Sequence, residues 1–121
     1  MNIILSEKTV DGIATAIFIS YADKLFPVRI EEKGVIQPAF SDNFISFMPS
    51  REKAARVKKA LVKYGGLSII PEIKLCLLSC ETDCLTTAFN YACKFLDCKK
   101  DVSDNFADPV VLKFHDTVRK V

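Results

Sequence analysis

Five cysteines, at positions 76, 80, 84, 93 and 98, and a single histidine, His115, are the residues whose types invite chemistry first. Cys76, Cys80 and Cys84 recur every fourth residue, so on one straight helix they would share a face and could gather around a metal. Structural zinc sites instead favour short loop spacings, such as two intervening residues, and need a fourth ligand. Thr82 and Asp83 also read as a helix restart, which would break the shared face. Cysteine packs readily as a small hydrophobe, so core packing is expected and no metal site is assigned. An odd number of thiols, no export signal and a chain long enough for its own core all favour reduced cysteines over a disulfide framework. Catalysis by His115 would need a nucleophile or carboxylate held against it. Asp116 is its neighbour in sequence but would point away on a helix, so a structural or surface role is expected. Gly65-Gly66 lacks the strand-turn-helix setting and the following lysine of a phosphate loop, and reads as a helix terminator. Glu31-Glu32 and Asp101 with Asp104 read as solvated charges. No catalytic residue and no cofactor site are assigned.

The one local charge feature lies between residues 50 and 64. Arg51, Lys53, Arg56, Lys58, Lys59 and Lys63 stand there against a single acid, Glu52. At 100° per residue Arg56, Lys59 and Lys63 form an outward stripe opposite an apolar seam of Val57 and Leu61, and Glu52, four residues before Arg56, is placed to neutralise it in part. A basic stripe is the usual footprint of a phosphate-binding surface, so these three residues are the candidate nucleic-acid contacts. The bland alternative is a solvated helix face. No base-reading motif accompanies the stripe.

The elements that must carry these residues follow from punctuation and periodicity. Residues 2–6 read as a strand, and Thr9 can cap a helix whose apolar positions run from Val10 through Ile13, Ile17 and Tyr21 until Pro27 stops it. Val28 to Glu31 alternates apolar and charged, a half-buried strand. Gly34 and Pro38 punctuate an irregular stretch, and Phe44 to Phe47 suggests a third strand. Ser50 caps the basic helix, which ends at Gly65-Gly66. Pro71 fits the first turn of a helix with Ile73, Leu77 and Cys80 on its seam. Leu85, Ala88, Phe89, Ala92 and Leu96 mark the next helix, and Asp108-Pro109 opens a last one carrying Val111, Leu112, His115 and Val118. That last helix meets no stop signal before Val121.

The expectation is a single α+β domain over residues 1–121, mostly helical, with a two- or three-stranded N-terminal sheet and about five helices. Half of the residues are apolar and 26% are charged, which excludes a disordered chain. With 17 basic against 15 acidic residues no global field marks a nucleic-acid or membrane binder, so any basic site must be local. The N-terminus has no basic n-region and Glu7 ends its apolar run early. The longest apolar run, Ile13 to Ile19, is too short to span a bilayer. A cytoplasmic protein without a membrane partner is expected.

Several segments together resemble a bacterial DNA-metabolism protein family of unknown function, found beside a radical SAM protein or fused to a uracil-DNA glycosylase domain. Gly12-Ile13-Ala14-Thr15-Ala16-Ile17-Phe18-Ile19-Ser20-Tyr21 resembles that family's first helix, Gly-Phe-Leu-x-Ala-Val-Phe-x-x-Tyr. Gln37-Pro38-Ala39-Phe40 is similar to its Gln-Pro-x-Leu-Phe loop, and Glu52-Lys53-Ala54-Ala55-Arg56-Val57 to its Glu-Lys-Ala-x-Arg-Val. Leu77-Leu78-Ser79 is similar to its Phe-Leu-Ser, and Asp108-Pro109-Val110 with Arg119-Lys120-Val121 to its Asp-Pro-x-Val helix ending in Arg-Lys-Val. The segments keep the family's order over nearly the whole chain.

Two departures stand out. Ser6-Glu7-Lys8-Thr9 replaces the family's Tyr-Asp-Gly-Ser before the first helix, an altered tight turn. The family's later Glu-x-x-x-His-Arg segment and Gly-Phe-x-Arg-Phe strand have no counterpart before Val121, so the chain is expected to lack the C-terminal part of the family domain. The resemblance implies an accessory role in DNA repair or base modification with a radical SAM partner. Two alternatives remain. One is an enzyme on nucleic acid whose active site needs that C-terminal segment. The other is a protein-interaction module with no nucleic-acid contact.

Overall fold

A computed structural model describes residues 2–32 and 43–121. Strand β1 (Asn2–Ser6) leads through helix α1 (Val10–Ala22) to β2 (Val28–Glu32), and β3 (Asn43–Ser46) precedes four helices: α2 (Arg51–Gly65), α3 (Ile69–Leu77), α4 (Cys84–Cys98) and α5 (Pro109–Arg119). With 58% helix and 12% strand this is an α+β, mostly helical fold. The third strand begins and ends one residue earlier than its Phe44–Phe47 pattern suggests. The Gly34 and Pro38 punctuation and the Gln37–Phe40 loop lie outside the described residues.

The three strands form one parallel sheet in the order β2-β1-β3. A parallel connection needs a crossover, and α1 supplies it between β1 and β2. The turn into α1 is tight. Ser6 Oγ donates to the Glu7 carbonyl, Thr9 N returns to that same oxygen, and Thr9 Oγ1 accepts from Gly12 N at 3.0 Å. A Cβ at Gly12 would stand 2.8 Å from the Glu7 carbonyl oxygen, so only glycine leaves this turn undisturbed. Ser6-Glu7-Lys8-Thr9 therefore makes a compact turn with the altered sequence. The outer edge of β2 is closed by α4. Thr86 Oγ1 accepts from Ile30 N at 3.1 Å and donates to Ile30 O at 2.8 Å, satisfying backbone groups that would otherwise lie open along a strand edge.

Helix α4 is the hub, packing against β2 and every other helix. Its Leu85, Ala88, Phe89 and Ala92 are buried, as its 3- and 4-residue spacing requires, while Leu96 of the same pattern is partly buried and Phe95 beside it fully. Gly65, the last residue of α2, lies so close to α4 that a Cβ would meet the Phe95 ring at 2.7 Å, and Gly66 follows at φ +82. The terminator thus divides its work: one glycine permits close helix packing and the other takes the left-handed turn.

Two seams differ from the sequence reading. Helix α3 ends at Leu77, and Cys80 is exposed rather than on its buried stripe. The cause is local: Ser79 turns inward, and its hydroxyl accepts from Glu81 N at 3.1 Å, which starts a turn where the helix would continue. In α5 the buried stripe is Val111, Phe114 and Thr117, while Leu112 is 44% exposed. Phe114 stacks on Tyr91 of α4 with ring centroids 3.6 Å apart and planes 1° apart, and that aromatic contact sets the helix's rotation.

Candidate nucleic-acid interface and neighbouring clefts

Helix α2 presents its cations as the wheel requires. Ser50 accepts from Lys53 N to start it, Ala54, Val57 and Leu61 are buried, and Arg56, Lys59 and Lys63 are exposed on the far side. The structure brings these three predicted residues onto one surface, about 10 Å from first to last at 1.5 Å per residue. Lys58 turns aside to Asp11 of α1, 2.7 Å away. None of Arg56, Lys59 and Lys63 forms an ion pair among the described residues. Glu52, expected to neutralise Arg56 in part, makes no ion pair with it. The stripe is therefore more available to an outside anion than the sequence suggested.

Sequence reasoning missed what lies beside the stripe. Between α1 and α2 runs an apolar groove of about 390 Å³, lined by Ile17, Phe18, Tyr21, Val57, Ala60 and Leu96, with Arg56 on its rim. Lys53 Nζ sits 5.6 Å from the centre of the Phe18 ring, and Lys63 Nζ 5.7 Å from that of Tyr64, both within cation–π range. Tyr21 is 40% exposed and meets the exposed Phe26 edge-on at 5.0 Å. Its hydroxyl donates to Asp97 Oδ1 at 2.6 Å, and burial with that carboxylate pushes its ionisation well above the usual tyrosine range. Tyr21 belongs to the apolar pattern of the first helix, and Phe18 lies next to Ile17 in the same turn. Only the angle between two helices could reveal that they are left partly uncovered.

A second region lies at the C-terminal edge of the parallel strands, where ligands of open α/β sheets commonly bind. Lys8, just beyond β1, borders two clefts there. One, about 600 Å³, is also lined by Glu7, Asp11, Lys58 and Lys74, and the other by Glu31, Glu32, Cys80, Glu81 and Thr82. Lys8 Nζ donates to Ser79 O at 3.1 Å, tying the strand edge to the α3–α4 turn. Opposed charges are mixed along these walls. Cys80 shares the second cleft with Lys8 and three glutamates, and the chain's single histidine is held elsewhere. His115 Nε2 bonds Ser103 O at 2.8 Å, and its ring packs against Tyr91, Phe106 and Phe114. It pins the α4–α5 loop to α5.

The cysteines do not share a face. Cys76 and Cys84 are buried on different helices, with Cys76 Sγ donating to Cys84 O at 3.6 Å, and Cys93 is buried on α4. Core packing thus describes three of the five, and Cys80 and Cys98 are exposed. Burial pushes the Cys76 and Cys93 thiols up to about 12, and raises Cys84 as well. Among the described residues no three His, Cys, Asp or Glu side chains come together as metal ligands. No described helix is long and apolar enough to cross a membrane.

No family model, curated protein or solved structure matches this chain at a significant level. The resemblance to the DNA-metabolism family rests on its quoted segments. Gly12–Tyr21 forms most of α1, Glu52–Val57 opens α2, Leu77–Ser79 closes α3, and Asp108–Val110 and Arg119–Val121 begin and end α5. Four of the five helices therefore carry a segment of the resemblance.

Proposed function

We propose that this chain is a cytoplasmic accessory domain of bacterial DNA metabolism, working in repair or base modification with a radical SAM partner, and that it holds nucleic acid through the outward face of α2. The observation that carries the reading is the charge on that face: Arg56, Lys59 and Lys63 are exposed together without a carboxylate partner among the described residues. Cations in that state exchange condensed counterions for backbone phosphates, giving binding that is weak, indifferent to sequence and steep in salt. The resemblance supplies the setting and the partner.

Titration of labelled duplex DNA over a range of salt concentrations tests the contact. Three neutralised phosphates give a slope of about −2.7 in log K against log salt. Replacing Arg56, Lys59 and Lys63 together with alanine flattens it to near zero without unfolding the protein, since exposed changes cost within about 0.5 kcal/mol each. A slope unchanged in the triple variant moves the contact to Lys99-Lys100 or Arg119-Lys120. Absence of salt-sensitive binding leaves the stripe a solvated face and favours a protein-interaction module.

A further inference from the structure

We infer that the groove between α1 and α2 is a base-stacking slot, so that the ligand of the α2 face is single-stranded nucleic acid with one unstacked base seated against Phe18 and Tyr21. The inference rests on the phosphate-binding reading above and adds the substrate class. Single strands are bound without sequence preference by a basic track for the backbone and aromatic rings for the bases, and both parts occur here side by side. Arg56 belongs to both, as a member of the stripe and a wall of the groove. The groove volume, about 390 Å³, lies in the range of small-ligand sites, ~300–1,000 Å³. Its lining is apolar except for Arg56 and the Tyr21 hydroxyl, which suits the face of a base and offers water little.

Charge complementarity selects the occupant. An apolar side chain of a partner protein would also fill the slot, but the α2 side of the rim carries Lys53 and Arg56 with Lys59 beyond them, and a polyanion matches that side. Asp97 stands at the Leu96 end, where its carboxylate already accepts the Tyr21 hydroxyl hydrogen. That carboxylate is thus already engaged within the protein. A duplex keeps its bases stacked inside and can use the stripe alone, so strandedness is the property that the groove would read.

The test uses the whole chain and a short oligonucleotide carrying one 2-aminopurine, single-stranded or paired with its complement. The expected result is tighter binding of the single strand, a change in 2-aminopurine emission on binding, and a salt slope near −2.1 for three phosphates. Tyr21→Leu keeps apolar bulk but removes the stacking face, and should weaken the single strand at least about fivefold while leaving its salt slope and the duplex affinity unchanged. Ala60→Leu fills the groove from α2 without touching an aromatic residue and should do the same, which guards against a variant that merely loses its fold. Equal affinity for both forms, with neither variant affecting either, overturns the slot and leaves phosphate binding standing. No salt-dependent binding of either form overturns both. Tighter binding of an acidic amphipathic peptide than of either nucleic acid, lost in both Tyr21→Leu and Ala60→Leu, makes the groove a protein-docking site instead.

Discussion

Tyr91 and the buried thiols show what single side chains contribute here. Tyr91 is fully buried, and its hydroxyl has no hydrogen-bond partner among the described residues. A buried unpaired hydroxyl costs about 1–3 kcal/mol, while the ring's stacking on Phe114 does not need the oxygen. Tyr91→Phe should therefore leave stability unchanged or raise it in a urea melt, and a clear loss would reveal a partner for the hydroxyl. The thiols give stability a pH dependence of known sign. Cys76 and Cys93 are held up to about 12 by burial, whereas in the unfolded chain they ionise near 8.5. Above that value the unfolded state sheds protons that the folded state keeps, so stability falls as pH rises from ~8.5 and is insensitive to these groups below it. Urea midpoints that drop between pH 7.5 and 10, and drop less in a Cys76→Ala/Cys93→Ala variant, would bear this out; a flat profile in the parent would refute it. At neutral pH a thiol reagent should modify Cys80 and Cys98 at once and the other three only after denaturation.

At the scale of elements, the sequence disclosed most where punctuation is chemical and least where rotation depends on a neighbour. Thr9, Ser50 and Asp108 cap their helices through the side-chain oxygens their types promised. Pro71 falls in the first turn of α3, and Gly65-Gly66 ends α2. The facing of α5 was not legible, because Leu112 and Phe114 are both apolar and periodicity alone cannot rank them. The stacking on Tyr91, a residue 23 positions earlier, makes the choice. Replacement by alanine should separate the two: about 3–5 kcal/mol lost at Phe114, and within about 0.5 kcal/mol at Leu112. Comparable losses at both would mean that α5 is turned differently in solution. The candidate interface divides the same way. Its cations were readable from 100° spacing, but the groove beside them exists only because α1 and α2 leave Phe18 and Tyr21 partly uncovered. The expected Glu52–Arg56 pair does not form, so i,i+4 spacing permits a pair but does not oblige one.

For the whole molecule, the consequence of the topology is mechanical unity around α4. The sheet lies at the N-terminal end of the chain and α3 and α5 towards the other, so chain order alone would let them unfold separately. Helix α4, together with the direct contacts of α3 with α1 and α2, prevents this: Thr86 closes the edge of β2, Phe89 meets Phe26 of the α1–β2 turn at 6.0 Å, and Tyr91 stacks on α5. Removing the Phe89 ring should therefore weaken the whole domain rather than one end. Phe89→Ala is expected to cost about 3–5 kcal/mol, and at 4–8 °C per kcal/mol for a domain near 100 residues this lowers Tm by roughly 12 °C or more. The distinguishing measurement is coincidence of probes. Far-ultraviolet dichroism follows all the helices, and the fluorescence of Tyr21, Tyr64 and Tyr91 reports contacts of α1, α2 and α4. In the parent and in Phe89→Ala the two melting curves should superimpose, shifted together, as two-state unfolding requires. Curves that separate in the variant, with helix persisting after only part of the tyrosine signal is lost, would show that α3–α5 stands without the sheet and that α4 bridges two units.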